Sequence, residues 1–197
     1  MKNTPVNPPD YRHDTVLPLP EEVRASAWAV DAACSGNPGP MEYQAIDLAT
    51  GAQVFHFGPL HGTNNIGEFL AIVHALALME KQGINDKTIY SDSYNAILWV
   101  RNRKCKTKLE RNEKTEPLYQ IIARAEQWLR THNVRTPIIK WETAKWGEIP
   151  ADFGRSWLNI GAQWVRQSAN HYITENTFRI NIGLTFNERW FAKWKLE

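Results

Sequence analysis

The chain has 197 residues, 43% hydrophobic and 22% charged, with a formal net charge of +2, ordinary values for a globular protein able to build a core. Its two cysteines, Cys34 and Cys105, exclude a disulfide framework and a Cys-rich zinc site, and they suit a reducing, cytoplasmic setting. No run of 18 apolar residues exists to span a membrane, and the start of the chain lacks the basic-then-apolar pattern of a secretory signal.

Residues 1–25 hold Pro5, Pro8, Pro9, Pro18 and Pro20 with little apolar periodicity, and read as a Pro-rich N-terminal extension. The folded body spans residues 26–156. Ala27 to Asp31 reads as a buried strand, Gly36 to Pro40 as a turn, and Met41 to Leu48 as a second strand. Ala49-Thr50-Gly51 is a hairpin turn into a third strand, Ala52 to Phe57. Short loops between these three predict an antiparallel meander.

Asn64 or Asn65 is expected to cap the next helix, whose apolar face carries Phe69, Leu70, Ile72, Val73, Leu76, Ala77 and Met79, and Gly83 stops it. Lys87 to Ser91 is a short strand, and Ser93 caps a helix to about Asn102. Glu116 to Thr131 is a helix with Leu118, Ile121, Ile122, Ala125, Trp128 and Leu129 on one side. Pro137 to Trp141 is a fifth strand, and a last helix is expected from Pro150, since proline suits a first turn. The order β-β-β-α-β-α-α-β-α predicts an α/β fold: a mixed five-stranded sheet, its first three strands antiparallel, with helices on both faces. Residues 157–197 hold Trp157, Trp164, Trp190 and Trp194, and read as a Trp-rich C-terminal extension packed on the body.

The charge is unevenly spread. Arg101, Arg103, Lys104, Lys106, Lys108, Arg111 and Lys114 face only Glu110 and Glu113, so residues 101–114 carry +5 and the remainder −3. Such a run is commonly just a solvated face. Beside a cluster of acids it reads as a phosphate-binding patch.

Four acids stand in recognisable frames: Asp31 in Val-Asp-Ala-Ala-Cys-Ser-Gly-Asn-Pro-Gly, Glu68 in Thr-Asn-Asn-Ile-Gly-Glu, Asp92 in Ile-Tyr-Ser-Asp-Ser, and Asp152 in Gly-Glu-Ile-Pro-Ala-Asp. Each falls at a predicted strand end or helix start. Singly, each has a plain explanation as a turn former, a cap or a first-turn charge. Together, carboxylates at the ligand edge of an α/β sheet require a compensating cation, and oxygen ligands select Mg²⁺ or Mn²⁺. Phosphodiester cleavage by two metal ions uses such a cluster best.

These motifs resemble those of type 1 ribonuclease H, over roughly Ala25 to Arg155. The similarity is closest to the bacterial branch with Gly-Thr-Asn-Asn-Xaa-Gly-Glu-Phe-Leu-Ala (here Gly62 to Ala71), Tyr-Ser-Asp-Ser (Tyr90 to Ser93) and Lys-Trp-Gly-Glu-Ile-Xaa-Ala-Asp (Lys145 to Asp152). The resemblance implies an endonuclease that hydrolyses the RNA strand of RNA/DNA hybrids and leaves 5′-phosphate and 3′-hydroxyl ends. It implies Asp31, Glu68, Asp92 and Asp152 as ligands of two Mg²⁺ ions, with Mn²⁺ as a substitute, and Glu148 as an auxiliary glutamate. Other members carry a Gly-His-Xaa-Gly-His loop there, which this chain lacks.

On the RNA strand, the resemblance implies contacts from Gly36, Asn37, Asn64, Glu68 and Tyr94, where a 2′-hydroxyl can be tested as donor and acceptor. Tyr94 stands where the branch commonly has glutamine, and a hydroxyl cannot copy an amide's paired donor and acceptor. On the DNA strand it implies a phosphate pocket of Thr63, Asn65, Thr107 and Thr143, with Trp99 packing on a deoxyribose. The alternative for Trp99 is a core position on its helix. Arg101, Arg103, Lys104, Lys106 and Lys108 would supply longer-range attraction. No separate hybrid-binding domain is expected, nor an obligate protein partner or membrane, and the protein is expected to be a monomer of weak processivity. Two rival readings are a transposase or junction-resolving DNA nuclease, and a binding module without activity. The Asn-Pro-Gly and Thr-Asn-Asn frames disfavour the first, and the intact acid set the second.

Overall fold

The computed structural model describes Leu17 and residues 19–153. Nine elements follow in chain order: β1 (Ala27–Cys34), β2 (Gly39–Asp47), β3 (Gln53–Gly62), α1 (Asn64–Lys81), β4 (Thr88–Ser91), α2 (Tyr94–Arg101), α3 (Glu116–Thr131), β5 (Ile138–Lys140) and α4 (Thr143–Trp146). The five strands form one sheet in the order β3-β2-β1-β4-β5. β1 pairs antiparallel with β2, and β2 with β3, while β1–β4 and β4–β5 are parallel. This is the mixed sheet with an antiparallel first half that the strand order predicted. Among the described residues no helix is long and apolar enough to cross a membrane.

The strand that matters most is the central one. Ala27 to Val30 of β1 are all buried, between β2 on one side and β4 on the other. Its alternation divides the molecule. Trp28, Val30 and Ala32 join Tyr43 and Ala45 of β2 in one core with α1, α2 and α3. The opposite face receives α4: Tyr90, which pairs with Ala29, meets Trp146 edge-on at 6.2 Å between ring centroids and Trp141 at 5.8 Å. The segment before β1 also reaches this face. Val23 is buried, the Arg24 N–H donates to the Tyr90 hydroxyl at 3.1 Å, and Glu22 pairs with Lys145.

Several local expectations hold in detail. Ser93 caps α2, its hydroxyl accepting from the Ala96 N–H at 3.2 Å. α3 runs over Glu116–Thr131 and buries Leu118, Ile122, Ala125 and Leu129. Four differ. β1 continues three residues past Asp31 because β2 pairs with it as far as Cys34. The cap residue of α1 is Thr63, with Asn64 and Asn65 already helical, so Glu68 falls beyond the first turn. The Asn37 side chain, from the loop before β2, supplies the capping oxygen and accepts from the Asn64 N–H at 3.2 Å. Finally, Pro150 to Phe153 form turns rather than a helix; the last helix among the described residues is α4 instead. Ile149 and Ala151 are fully buried, so this stretch follows the surface it packs on, not proline's helical preference. Most of the N-terminal extension and all of the Trp-rich 157–197 segment lie outside the described residues.

Candidate active site

The β1–β4 register brings the first two acids together. Val30 pairs with Ser91 in the parallel ladder, so the next residues along, Asp31 within β1 and Asp92 just past the end of β4, come side by side. Glu68 arrives from α1. One ligand oxygen from each of Asp31, Glu68 and Asp92 lies within 4.8 Å of the others. Gly67 makes that approach possible. A Cβ there would sit 2.7 Å from both the Ala32 Cβ and the Met41 Sδ, so only glycine lets this turn of α1 rest on β1 and β2.

Burial makes the cluster costly. Asp31 is 6% exposed and Glu68 2%. Glu68 Oε1 accepts from the Ala32 N–H at 3.3 Å, but its Oε2 is buried without a partner. An orphaned carboxylate oxygen beside other carboxylates is well satisfied by a proton or a cation. Desolvation pushes the Asp31 carboxyl up to about 7, opposed by a hydrogen bond with Glu68 and reinforced by the charges of Asp92 and Asp152. Desolvation likewise lifts Glu68 well above the usual range, with the Asp31 charge next. Asp92 is raised by burial, and by the charges of Glu148 and Asp152, against the pull of the Lys140 ammonium. An all-oxygen donor set with an unsatisfied buried oxygen fits a hard divalent cation.

Asp152 and Glu148 lie outside the 4.8 Å group, Asp152 half-buried and Glu148 exposed. Both are close enough for their charges to act on Asp92. Their turn is anchored from the sheet side. The Trp141 indole N–H donates to the Gly147 carbonyl at 2.7 Å, and Gly147 takes a φ of +74°, a conformation that favours glycine. Asp92 is not used as a cap, since Ser93 takes that role.

A cavity of about 500 Å³ opens beside the N-terminus of α1. Asn37, Thr63, Asn65, Trp99, Lys106, Thr107 and Lys108 line it, so the structure gathers residues that the resemblance implied as contacts to the two strands of a nucleic acid. Trp99 lines the cavity and packs edge-on against Phe69 of the core at 6.3 Å. Thr143 does not join this lining; it opens α4, beyond β5. Gly36 and Asn64 are also outside the lining, and Tyr94 is 60% exposed at the start of α2. Arg101, Arg103 and Lys104 are exposed, but Lys104 binds Glu126 at 2.9 Å instead of standing free. The cavity also includes His61 and Asn112, which the sequence reading passed over. His61 lies two residues before Thr63, and strand alternation would have placed it on the same side. Helix α1 joins the two regions, since Asn65 lines the cavity and Glu68, about one turn on, enters the acid cluster.

Residues 24–149 match the family described as RNase H. The ribonuclease H of Neorickettsia sennetsu is 27% identical over 145 residues, spanning 71% of this chain and 89% of that protein. A ribonuclease H of Rhodopseudomonas palustris is 35% identical over 118 residues, or 56% of this chain and 75% of that one. Among solved structures, LC11-RNase H1, isolated from compost, aligns over 60% of this chain and 85% of its own at 18% identity, with a TM-score of 0.42.

Proposed function

The chain belongs to the ribonuclease H family and carries a type 1 catalytic domain, and from that premise we propose that it hydrolyses the RNA strand of RNA/DNA hybrids, leaving 5′-phosphate and 3′-hydroxyl ends. The observation that carries this reading is the buried group Asp31, Glu68 and Asp92 with its orphaned Glu68 Oε2. Asp31, Glu68 and Asp92 would hold divalent cations, Mg²⁺ by preference and Mn²⁺ as a substitute, with Asp152 completing the set and Glu148 auxiliary. Bound there, such ions lower the pKa of an attacking water and offset charge on the scissile phosphate and leaving oxygen.

The chain's own part is placement. β1 and β4 hold Asp31 and Asp92 abreast on a rigid sheet, and α1 fixes Glu68 through the Ala32 N–H. Rigid placement of this kind supplies electrostatic preorganisation at the moment of reaction. Substrate selection falls to the cavity. Thr63, Asn65 and Thr107 offer neutral donors to a DNA phosphate, Lys106 and Lys108 add attraction, and Trp99 offers a ring face to a sugar. Asn37 and Asn64 sit at the capped N-terminus of α1, where they can test the RNA strand's 2′-hydroxyls.

A cleavage panel tests the reading. RNA/DNA hybrid, double-stranded RNA, double-stranded DNA and a duplex with one ribonucleotide are compared in Mg²⁺ and in Mn²⁺. Hybrid is expected to be cut in its RNA strand, and cutting of DNA in its place would refute the proposal. Asp92→Asn is expected to abolish cleavage while retaining hybrid binding; normal cleavage would remove Asp92 from the metal site.

A further inference from the structure

Gln44 lies within β2, directly opposite Asp31 in the antiparallel register. Opposed residues of such a pair project from the same face of the sheet. Its neighbours Tyr43, Ala45 and Ile46 are buried and apolar or aromatic, and Gln44 itself is only 7% exposed. A buried amide in that setting costs free energy unless both its ends are bonded. Here they are. Gln44 Nε2 donates to the Ala151 carbonyl oxygen at 2.7 Å, and Gln44 Oε1 accepts from Gln53 Nε2 at 2.8 Å. The orientation follows from chemistry, because a carbonyl can only accept, so the amide nitrogen must face Ala151.

The target of that bond is specific. The Ala151 carbonyl and the Asp152 N–H belong to one planar peptide unit. The N–H end donates to the Ile149 carbonyl at 2.9 Å. The plane from which the Asp152 Cα departs is therefore tied at both ends, at one to its own turn and at the other to the sheet strand that pairs with Asp31. This bond spans 107 residues of sequence. It couples the turn carrying the fourth acid to β2, the strand paired with the one that carries Asp31.

We propose that Gln44 is a positioning residue for Asp152: its amide holds the Ala151–Asp152 peptide so that the Asp152 carboxylate is directed at the acid cluster. Gln53, an exposed residue at the start of β3, orients the Gln44 amide and acts one step further out. The inference rests on the placement of Asp152 in the metal site under the proposed function. Hydrogen-bonded partners of this outer kind, once lost, commonly cost 10–100-fold in metal affinity or activity.

The test uses the full chain with Gln44→Met, which keeps length and volume but has no amide, alone and combined with Asp152→Asn. Three quantities are read: amide hydrogen exchange at Asp152 in metal-free protein, Mg²⁺ affinity by calorimetry, and single-turnover cleavage of an RNA/DNA hybrid. Gln44→Met is expected to speed exchange at Asp152 about tenfold or more, because an anchored peptide is released into local opening. It is expected to weaken Mg²⁺ binding or slow cleavage by about 10–100-fold with hybrid affinity nearly unchanged. In the Asp152→Asn background the same substitution should add little, since coupled residues are not additive. Unchanged exchange and cleavage, or an equal loss in both backgrounds, would overturn the inference. If Gln44→Met does not fold, Gln53→Ala replaces it, with the same directions expected and the same null result decisive. A wild-type rate for Asp152→Asn alone would overturn the assignment of Asp152 itself, an outcome separate from failure of the Gln44 contact.

Discussion

Asp31→Asn should stabilise the metal-free protein while abolishing its activity. Burial raises the Asp31 carboxyl from an ordinary 3.8 to about 7. A rise of about three units corresponds to roughly 4 kcal/mol against the charged form. The sign follows from linkage. Below about pH 4 the carboxyl is protonated in both states and the folded state bears no penalty. As pH climbs toward 7 the unfolded chain ionises while the folded one resists, so stability falls, and the loss is complete above the folded value. Asparagine does not titrate and escapes this loss. The gain at pH 8 should therefore be about 2–4 kcal/mol. For a chain of this size that is roughly 5–15 °C in Tm. Denaturant melts in chelator at pH 5 and pH 8 measure it, with the variant's advantage small at pH 5 and large at pH 8. An equal advantage at both pH values, or a destabilised variant at pH 8, would refute the reasoning. Added Mg²⁺ should raise the stability of the wild type more than that of the variant, since a ligand stabilises only the state it binds.

Trp99→Ala should cost about 1–3 kcal/mol in hybrid binding, with a smaller change in single-turnover rate; a large rate loss with binding intact would make it a core residue only. Lys106→Ala with Lys108→Ala should reduce the slope of log affinity against log salt by about 2 and leave the rate on saturating hybrid unaltered. An unaltered slope would remove these lysines from the phosphate contacts. Gly67→Ala should destabilise by about 1–3 kcal/mol through overpacking, measured by denaturant midpoint, because its Cβ would press into Ala32 and Met41. It should also lower cleavage, as α1 shifts and carries Glu68 with it; a fully stable, active variant would show that α1 can yield there.

Much of the fold was legible because its signals are local. The amphipathic face of α3 defined that helix, and Ser93 announced the start of α2. The misreadings share a different cause. Asn64 and Asn65 are good capping residue types, yet the capping oxygen comes from Asn37, 27 residues away. Pro150 suits a first helical turn, yet the buried neighbours Ile149 and Ala151 hold the chain in turns. Gln44 carried no signal of its role, because the carbonyl it binds, that of Ala151, lies 107 positions later.

The sequence by itself determined the residues with chemical potential: four acids in distinctive frames, a basic run, and helices and strands set by periods of 3.6 and 2. Only the tertiary structure decided which of those acids meet. Asp31, Glu68 and Asp92 converge within 4.8 Å because the Val30–Ser91 register aligns two strands and Gly67 lets α1 lie against them. Asp152 stands outside that group, and the carbonyl of Ala151 before it accepts from an amide of β2. Periodicity is a property of neighbouring residues and can be read along the chain. Register and close approach arise between segments far apart, and depend on how whole faces pack.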